Sequence, residues 1–375
     1  MSLRMSRATD AGGWSSQWLR ATSCASRRAR GARFVTVAVT VALVAAIAGS
    51  LAERAEAQPE PYRPASALIF PHVGSADGMT SAVSVTNRND DRRYCEETDF
   101  QAGDVYAQFV YVDGTTWTQF ETFELLTPGD TLTVVTSLHA PKIEGGFLLV
   151  TANDPTNRLV RVDNDFLIGT ATVVDSTLDA SWSYVPYAFR AVGEPSDPCV
   201  DIPTDADADG AADFDGVEYA QFPSRLFIDS FLLRDDLFGN RLTLMTTAGP
   251  VYAAEVDFLF WNNIEDKFSR SFRFVCWADL PLRDISAIAE GLGGDDSETG
   301  IPGLETGWVQ LTPRRIVDAA GNPVSNADGG HARPPILGVF SERTRASEFS
   351  VGRLLHFDGT LDGLEIYQGD GDPQR

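Results

Sequence analysis

The chain has 375 residues, with 53 Asp and Glu against 30 Lys and Arg and a formal net charge of −23. So large an acidic excess repels a phosphate backbone, which argues against nucleic acid as a partner. With 43 % hydrophobic residues and four cysteines, the chain has apolar material for a large core without a dense disulfide framework.

The first 57 residues carry eight Arg against three acids and lead into FVTVAVTVALVAAIA, Phe34 to Ala48. The apolar run is shorter than the roughly 20 residues that cross a bilayer, and a small-x-small triplet follows at Ala55-Glu56-Ala57. Residues 1–57 therefore read as a secretory signal peptide cleaved after Ala57, the rival reading being an uncleaved anchor. Ser26-Arg27-Arg28 resembles a twin-arginine signal but lacks the apolar residue that should follow. Cleavage leaves 50 acids against 22 bases, a formal charge of 22 − 50 = −28. No second run of membrane-spanning length occurs, and the polar end EIYQGDGDPQR carries no anchor, so a secreted or periplasmic protein with no membrane span is expected.

Residues 58–195 read as a first β-sandwich domain. ALIFPHV (67–73), SAVSVTN (81–87), VYAQFVYVDG (105–114) and GGFLLVTAND (145–154) are strand-like, several with apolar residues at every second position and turn residues between them. Cys95 in DRRYCEE and Cys199 in EPSDPCVD lie in polar, turn-rich surroundings and are the expected disulfide in an oxidising compartment. Cys276, inside FRFVCWA, reads as a buried small hydrophobe. No C-x-x-C is present, so neither a zinc nor a dithiol redox site is indicated. WSYVPYAFRAV (182–192) reads as buried strand, with Trp182, Tyr184 and Tyr187 packing inside and their polar tips reaching the surface.

Residues 196–220 form an acidic junction, and 221–375 a second sandwich in which the same order of elements recurs: RLTLMTT, VYAAEVDFLFWNN, TGWVQLTP and PILGVF. From Asn87 to Gly146 is 59 positions and from Thr247 to Gly307 is 60, while Leu-Ile-Gly at 167–169 is echoed by Ile-Leu-Gly at 336–338. The fold class is all-β: two tandem Ig-like or fibronectin-like sandwiches joined by an acidic loop.

The junction contains DADADGAADFDG, residues 205–216, with five carboxylates and no cation. Charges so placed repel, so the segment is either a solvated acidic linker or the cage of a hard cation. Asp205, Asp207 and Asp209 supply oxygens at positions one, three and five, Gly210 turns the chain at six, Ala211 offers its carbonyl at seven and Asp213 stands at nine. The stretch resembles the D-x-D-x-D-G loops of EF-hand-like proteins and the calcium repeats of thrombospondin type 3, and the resemblance implies Ca²⁺ as the bound ion. Gly216 occupies position twelve, where those families place an acid; Asp215 or Glu218 would have to substitute. The affinity expected is that of extracellular modules, on the order of 10⁻⁴ to 10⁻³ M.

Four histidines, His72, His139, His331 and His356, form no H-E-x-x-H, and no G-x-S-x-G elbow is present. His356-Phe-Asp358 is too common a spacing to indicate a triad. A carboxylate pair beside Trp117, in the polar stretch DGTTWTQ, would suit a carbohydrate-active enzyme or lectin, whereas Trp308 in GWVQL reads as core. Across 67–192 the strand phrases and Thr127-Pro128-Gly129-Asp130 resemble a loosely defined set of secreted bacterial Ig-like sandwich proteins, which implies a fold and a location. The leading reading is a non-enzymatic structural or binding module that meets a protein or glycan at the cell surface, with the carbohydrate-active enzyme or lectin as alternative.

Produced with its leader in a bacterial host, the exported protein is expected to start at Gln58. Intact-mass measurement checks this, and a membrane-bound chain that still carries residues 1–57 would support the uncleaved anchor instead.

Overall fold

Period-two alternation is what turns most of the described residues into sheet. Along β2 (Met79–Asn87) Ser81, Val83, Val85 and Asn87 are buried and the residues between them are half exposed. The computed structural model describes residues 63–75, 78–91, 100–176, 180–192, 212–233, 238–263, 265–285, 304–325, 332–344, 350–357, 360–361 and 364–365. All strand pairings among them are antiparallel, and the class is all-β as expected.

Nine strands come before the acidic junction: β1 (Ala67–Gly74), β2, β3 (Val105–Asp113), β4 (Gln119–Leu126), β5 (Thr131–Val135), β6 (Gly145–Asn153), β7 (Leu167–Asp175), β8 (Ala180–Tyr184) and β9 (Tyr187–Phe189). A single helical turn, α1 (Thr136–His139), follows β5. After the junction come β10 (Leu226–Leu233), β11 (Phe238–Thr246), β12 (Ala253–Asn262), β13 (Lys267–Val275), β14 (Trp277–Pro281), β15 (Glu305–Val317), β16 (Ile336–Thr344), β17 (Ser350–Leu354) and β18 (His356–Phe357). The first set forms a five-stranded sheet, β4-β3-β6-β1-β9, and a four-stranded sheet, β5-β2-β7-β8. The second set forms β13-β12-β15-β10-β18 and β14-β11-β16-β17. Strand for strand, the two orders are the same.

The correspondence extends to single residues. In β1 the pairing with β6 slips between Phe70 and Val73, leaving Pro71 and His72 as a bulge before Val73 meets Gly146. In β10 the pairing with β15 slips between Ile228 and Phe231, leaving Asp229 and Ser230 before Phe231 meets Gly307. Pro71 has no N–H to give a ladder, and a bulge is where a strand tolerates it. Gly146 and Gly307 also share a constraint, since a Cβ on either would overlap a neighbouring strand's carbonyl oxygen, that of Val112 or of Trp261. Gly169 of β7 and Gly338 of β16 sit opposite Val85 and Leu244 and are likewise too close to backbone for a side chain.

Each pair of sheets closes on apolar faces. In the first set Val83, Val85, Ala171 and Val173 pack against Leu68, Phe70, Phe109, Tyr111, Leu148 and Val150. In the second, Leu242, Leu244, Ile336 and Phe340 pack against Ile228, Val256, Phe258, Phe260, Val309 and Leu311. Burying each such side chain is worth about 1.5–3 kcal/mol, enough in sum to hold the sheets face to face.

Strand β1 is buried along its whole length, which alternation alone does not produce. Leu68 and Phe70 face the first sandwich; Ala67 and Ile69, on the other face, join Val112, Phe147, Tyr187 and Phe189 in the apolar cluster that also contains the second sandwich's interior. That second covering explains why ALIFPHV reads as a continuous apolar run. Both strand sets lie in one compact unit, Glu56–Arg375.

Replacing Gly146 or Gly307 by Ala is expected to destabilise the protein by about 1–3 kcal/mol, because backbone rather than a flexible side chain must move. Urea midpoints check this; a midpoint unchanged in either variant would mean that the strands can separate at no cost.

Candidate functional site

The residues singled out from the acidic loop divide at the edge of the described structure. Asp205, Asp207, Asp209 and Ala211 lie outside the described residues, as do Cys95, Cys199 and His331. Asp213 is half-buried at the loop's downstream end, where its backbone N–H donates to Glu218 Oε2 at 3.1 Å. Glu218 is 4 % exposed, and Asp215 accepts from the Val217 N–H at 2.7 Å, so both acids proposed for position twelve already hold loop backbone.

The two ends of the junction meet. Ala191 bridges Tyr219, the Val192 N–H donates to Glu218 O at 2.9 Å, and the Ala220 N–H donates to Arg190 O at 2.9 Å. Four aromatic rings lock this neck: Phe214 lies 4.7 Å from Phe189, 5.2 Å from Tyr219 and 5.3 Å from Phe222, and Phe222 lies 5.2 Å from Phe189. On the other side Asp165 accepts from Ser66 Oγ, the Ala191 N–H and Arg190 Nε at 2.8, 3.1 and 2.6 Å. A flexible hinge, which a cation would have to stiffen, is the sequence expectation for this segment. The described residues on either side of it form a neck held by backbone hydrogen bonds and packed rings.

A second assembly lies where the strand sets meet. The β1 bulge turns His72 inward, to 2 % exposure, between two indoles: Trp182 of β8 at 5.7 Å and Trp277 of β14 at 5.6 Å. Each indole lies against a glycine of the opposite set. A Cβ on Gly352 would overlap Trp182, and one on Gly114 would come within 2.7 Å of Trp277 Cε3. Trp277 Nε1 donates to Pro71 O at 2.9 Å, and Tyr184 donates its hydroxyl proton to His72 O.

From His72 a polar chain runs into β11 and β14. The Thr243 hydroxyl donates to Asp279 Oδ1 at 3.0 Å, and Asp279 takes a forked contact from Arg241, Nη2 to Oδ2 at 2.6 Å and Nε to Oδ2 at 3.0 Å. With its one proton so placed, Thr243 Oγ1 must accept from His72 Nδ1 at 2.9 Å; the reverse would leave two acceptors facing each other with no proton between them. We assign the Nδ1–H tautomer on that ground, which leaves Nε2, 3.4 Å from Met79 Sδ, as an acceptor. Burial holds the ring's pKa below the ordinary histidine value; Asp279 and Asp175 act in the opposite sense and Arg241 reinforces it.

The other aromatic candidates are structural. Trp117 is half-buried, with a left-handed φ of 59°, and its edge packs on Phe147 at 6.2 Å. Trp308 is not core as expected: it is half-buried on the outer face of the five-stranded sheet, stacked on Trp261 at 3.8 Å and 6°. Lys267 lies over the Trp261 ring at 5.3 Å and Phe227 flanks Trp308 at 6.4 Å. Tyr184 and Tyr187 are buried as expected, but their hydroxyls bond inside rather than at the surface: Tyr187 reaches Gly338 O at 2.8 Å and Leu355 O at 3.0 Å. Cys276 is a free, buried thiol whose pKa burial pushes up to about 12, in keeping with the inert small hydrophobe expected. His356 faces Asp229 at 3.5 Å; its expected neighbour Asp358 lies outside the described residues. Among the described residues no three His, Cys, Asp or Glu converge as a metal group.

Sequence reading misses Met79, Gly114, Thr243, Trp277, Asp279 and Gly352. They are spread over 274 positions and join only when the two sets dock, so no local spacing announces them. No protein-family model matches the chain, and no curated protein matches it in sequence.

Asp163, beside the Asp165 clamp, has its pKa pushed up to about 6 by burial and then by the Asp165 charge, with Arg190 opposing. An acid raised above its unfolded value gives stability that is complete below about 3.9 and is lost as pH rises through about 6. Asp163→Asn is therefore expected to stabilise the protein at pH 7–8 by on the order of 1–2 kcal/mol, after allowance for partial exposure, with the gain vanishing near pH 4. Thermal unfolding across pH 4–8 checks this, and a gain of equal size at pH 4 would rule out titration as its origin.

Proposed function

We propose that the chain is an exported, non-enzymatic structural or binding module in which a duplicated β-sandwich acts as one stiff block, at the cell surface or in the periplasm. The observation that carries this reading is the docking of the two strand sets. An entire strand is buried on both faces, and a neck of four rings and paired backbone closes the chain between the sets. Such a body resists bending and presents its free sheet edges and loops in fixed relation, which suits recognition of a protein or glycan by edges and loop ends. The shared strand order, the matched bulges and the matched glycines support a duplication as its origin.

In this reading Asp205, Asp207, Asp209, Ala211 and Asp213 take up Ca²⁺. The donor set, carboxylates with one carbonyl, suits a hard cation. Asp213, whose backbone is tied to Glu218, would be its fixed end.

Titration of Ca²⁺ is expected to reveal one site with a dissociation constant on the order of 10⁻⁴ to 10⁻³ M. At ten times that concentration the stabilisation is about 1.4 kcal/mol, and it should be absent from Asp207→Asn/Asp209→Asn. Absence of both heat and a melting shift at millimolar Ca²⁺ would remove calcium from the reading.

A further inference from the structure

We propose that His72 Nε2 and Met79 Sδ are the ligands of a site for a soft monovalent cation of the Cu(I) and Ag(I) class, set beside the Trp182 and Trp277 indoles where the two strand sets meet. The proposal is independent of the calcium loop.

The argument begins with the lone pair. Thr243 takes the His72 Nδ1 proton, so Nε2 is an acceptor, and the atom it meets at 3.4 Å is a thioether sulfur with no proton to give. A buried acceptor turned toward a second acceptor is costly unless something positive lies between them. A proton is one answer. A metal ion is the other, and the donors select its kind. Thioether sulfur and imidazole nitrogen are soft to intermediate ligands that prefer Cu(I) to Ca²⁺ or Mg²⁺. Both are neutral, so a monovalent ion carries the smaller desolvation cost.

The surroundings match what such an ion needs. At bonds of about 2.1 Å to nitrogen and 2.3 Å to sulfur, the values for zinc, a 3.4 Å separation is too short for an ion on the line between the donors and subtends roughly 100°, so binding requires the unbranched Met79 chain to rotate Sδ away from Nε2. The ring nitrogen opposite the ligand donates into Thr243 and through it to Asp279, the outer arrangement that fixes a metal-binding histidine and raises its basicity. Two indoles, each held on a glycine, flank the imidazole at 5.7 and 5.6 Å and wall the site. Met79 is half exposed, next to the turn at Gly78, and so offers an entry path to a histidine that is otherwise closed off.

Silver(I), which undergoes no redox change here, is the probe, added as nitrate to the purified protein in chloride-free buffer and followed by calorimetry and tryptophan fluorescence. The wild type and Cys276→Ser are expected to bind Ag(I) with equal affinity and quenching. Met79→Leu, which keeps the volume and removes the sulfur, is expected to bind at least tenfold more weakly with an unchanged circular dichroism spectrum. Nitrogen-detected imidazole NMR of the wild type, which needs no variant to fold, should show the His72 Nε2 resonance move on adding Ag(I). A Met79→Leu protein that binds as the wild type does, loss of binding in Cys276→Ser instead, or a stationary Nε2 resonance would overturn the proposal.

Discussion

The architecture depends on a reciprocal contact: each strand set sends one tryptophan onto a glycine of the other. Trp182 lies on Gly352 and Trp277 on Gly114, with His72 between the two rings. A glycine lets an indole approach to backbone distance, and two such contacts of opposite sense fix both the separation and the rotation of the bodies they join. The buried outer face of β1 and the rings of the neck then have only one arrangement to fill. Large aromatic rings supply much of the apolar area at such contacts, and close-packed interiors do not deform gradually, so the joint is either formed or lost.

Much of the secondary structure was legible because it is written in alternation. SAVSVTN buries every second residue as period two requires, VYAQFVYVDG does so as far as Tyr111, and the spacing of Gly146 to Asn87 anticipates that of Gly307 to Thr247 because in both places a glycine opposes a crowded carbonyl. Cys276 was legible as a buried thiol from the apolar run around it. Three features were not. The outer face of β1 looks the same in sequence whether a sheet or another body covers it. Trp308 occupies a strand position where only register, through its partner Trp261, tells outer face from core. The seam residues have no local signature, since Met79 and Asp279 meet around His72 and Thr243 only through tertiary docking.

The candidate sites differ in how they relate to this frame. The acidic stretch is flanked by the neck, which residues 189–192 and 214–222 close with paired backbone and packed rings. His72 is at the opposite extreme. Its hydrogen-bond chain ends on the Asp279–Arg241 fork in the second set, while its backbone belongs to the first. Anything that engages its Nε2 is therefore felt across the joint, which makes the seam the place where ligand chemistry and mechanical integrity meet.

The central claim is that the two sandwiches form one cooperative body. Differential scanning calorimetry tests it most directly: the account predicts a single transition in which the calorimetric and van't Hoff enthalpies agree. Two resolved transitions, each with about half the total enthalpy, would show that the sandwiches unfold independently and would contradict it.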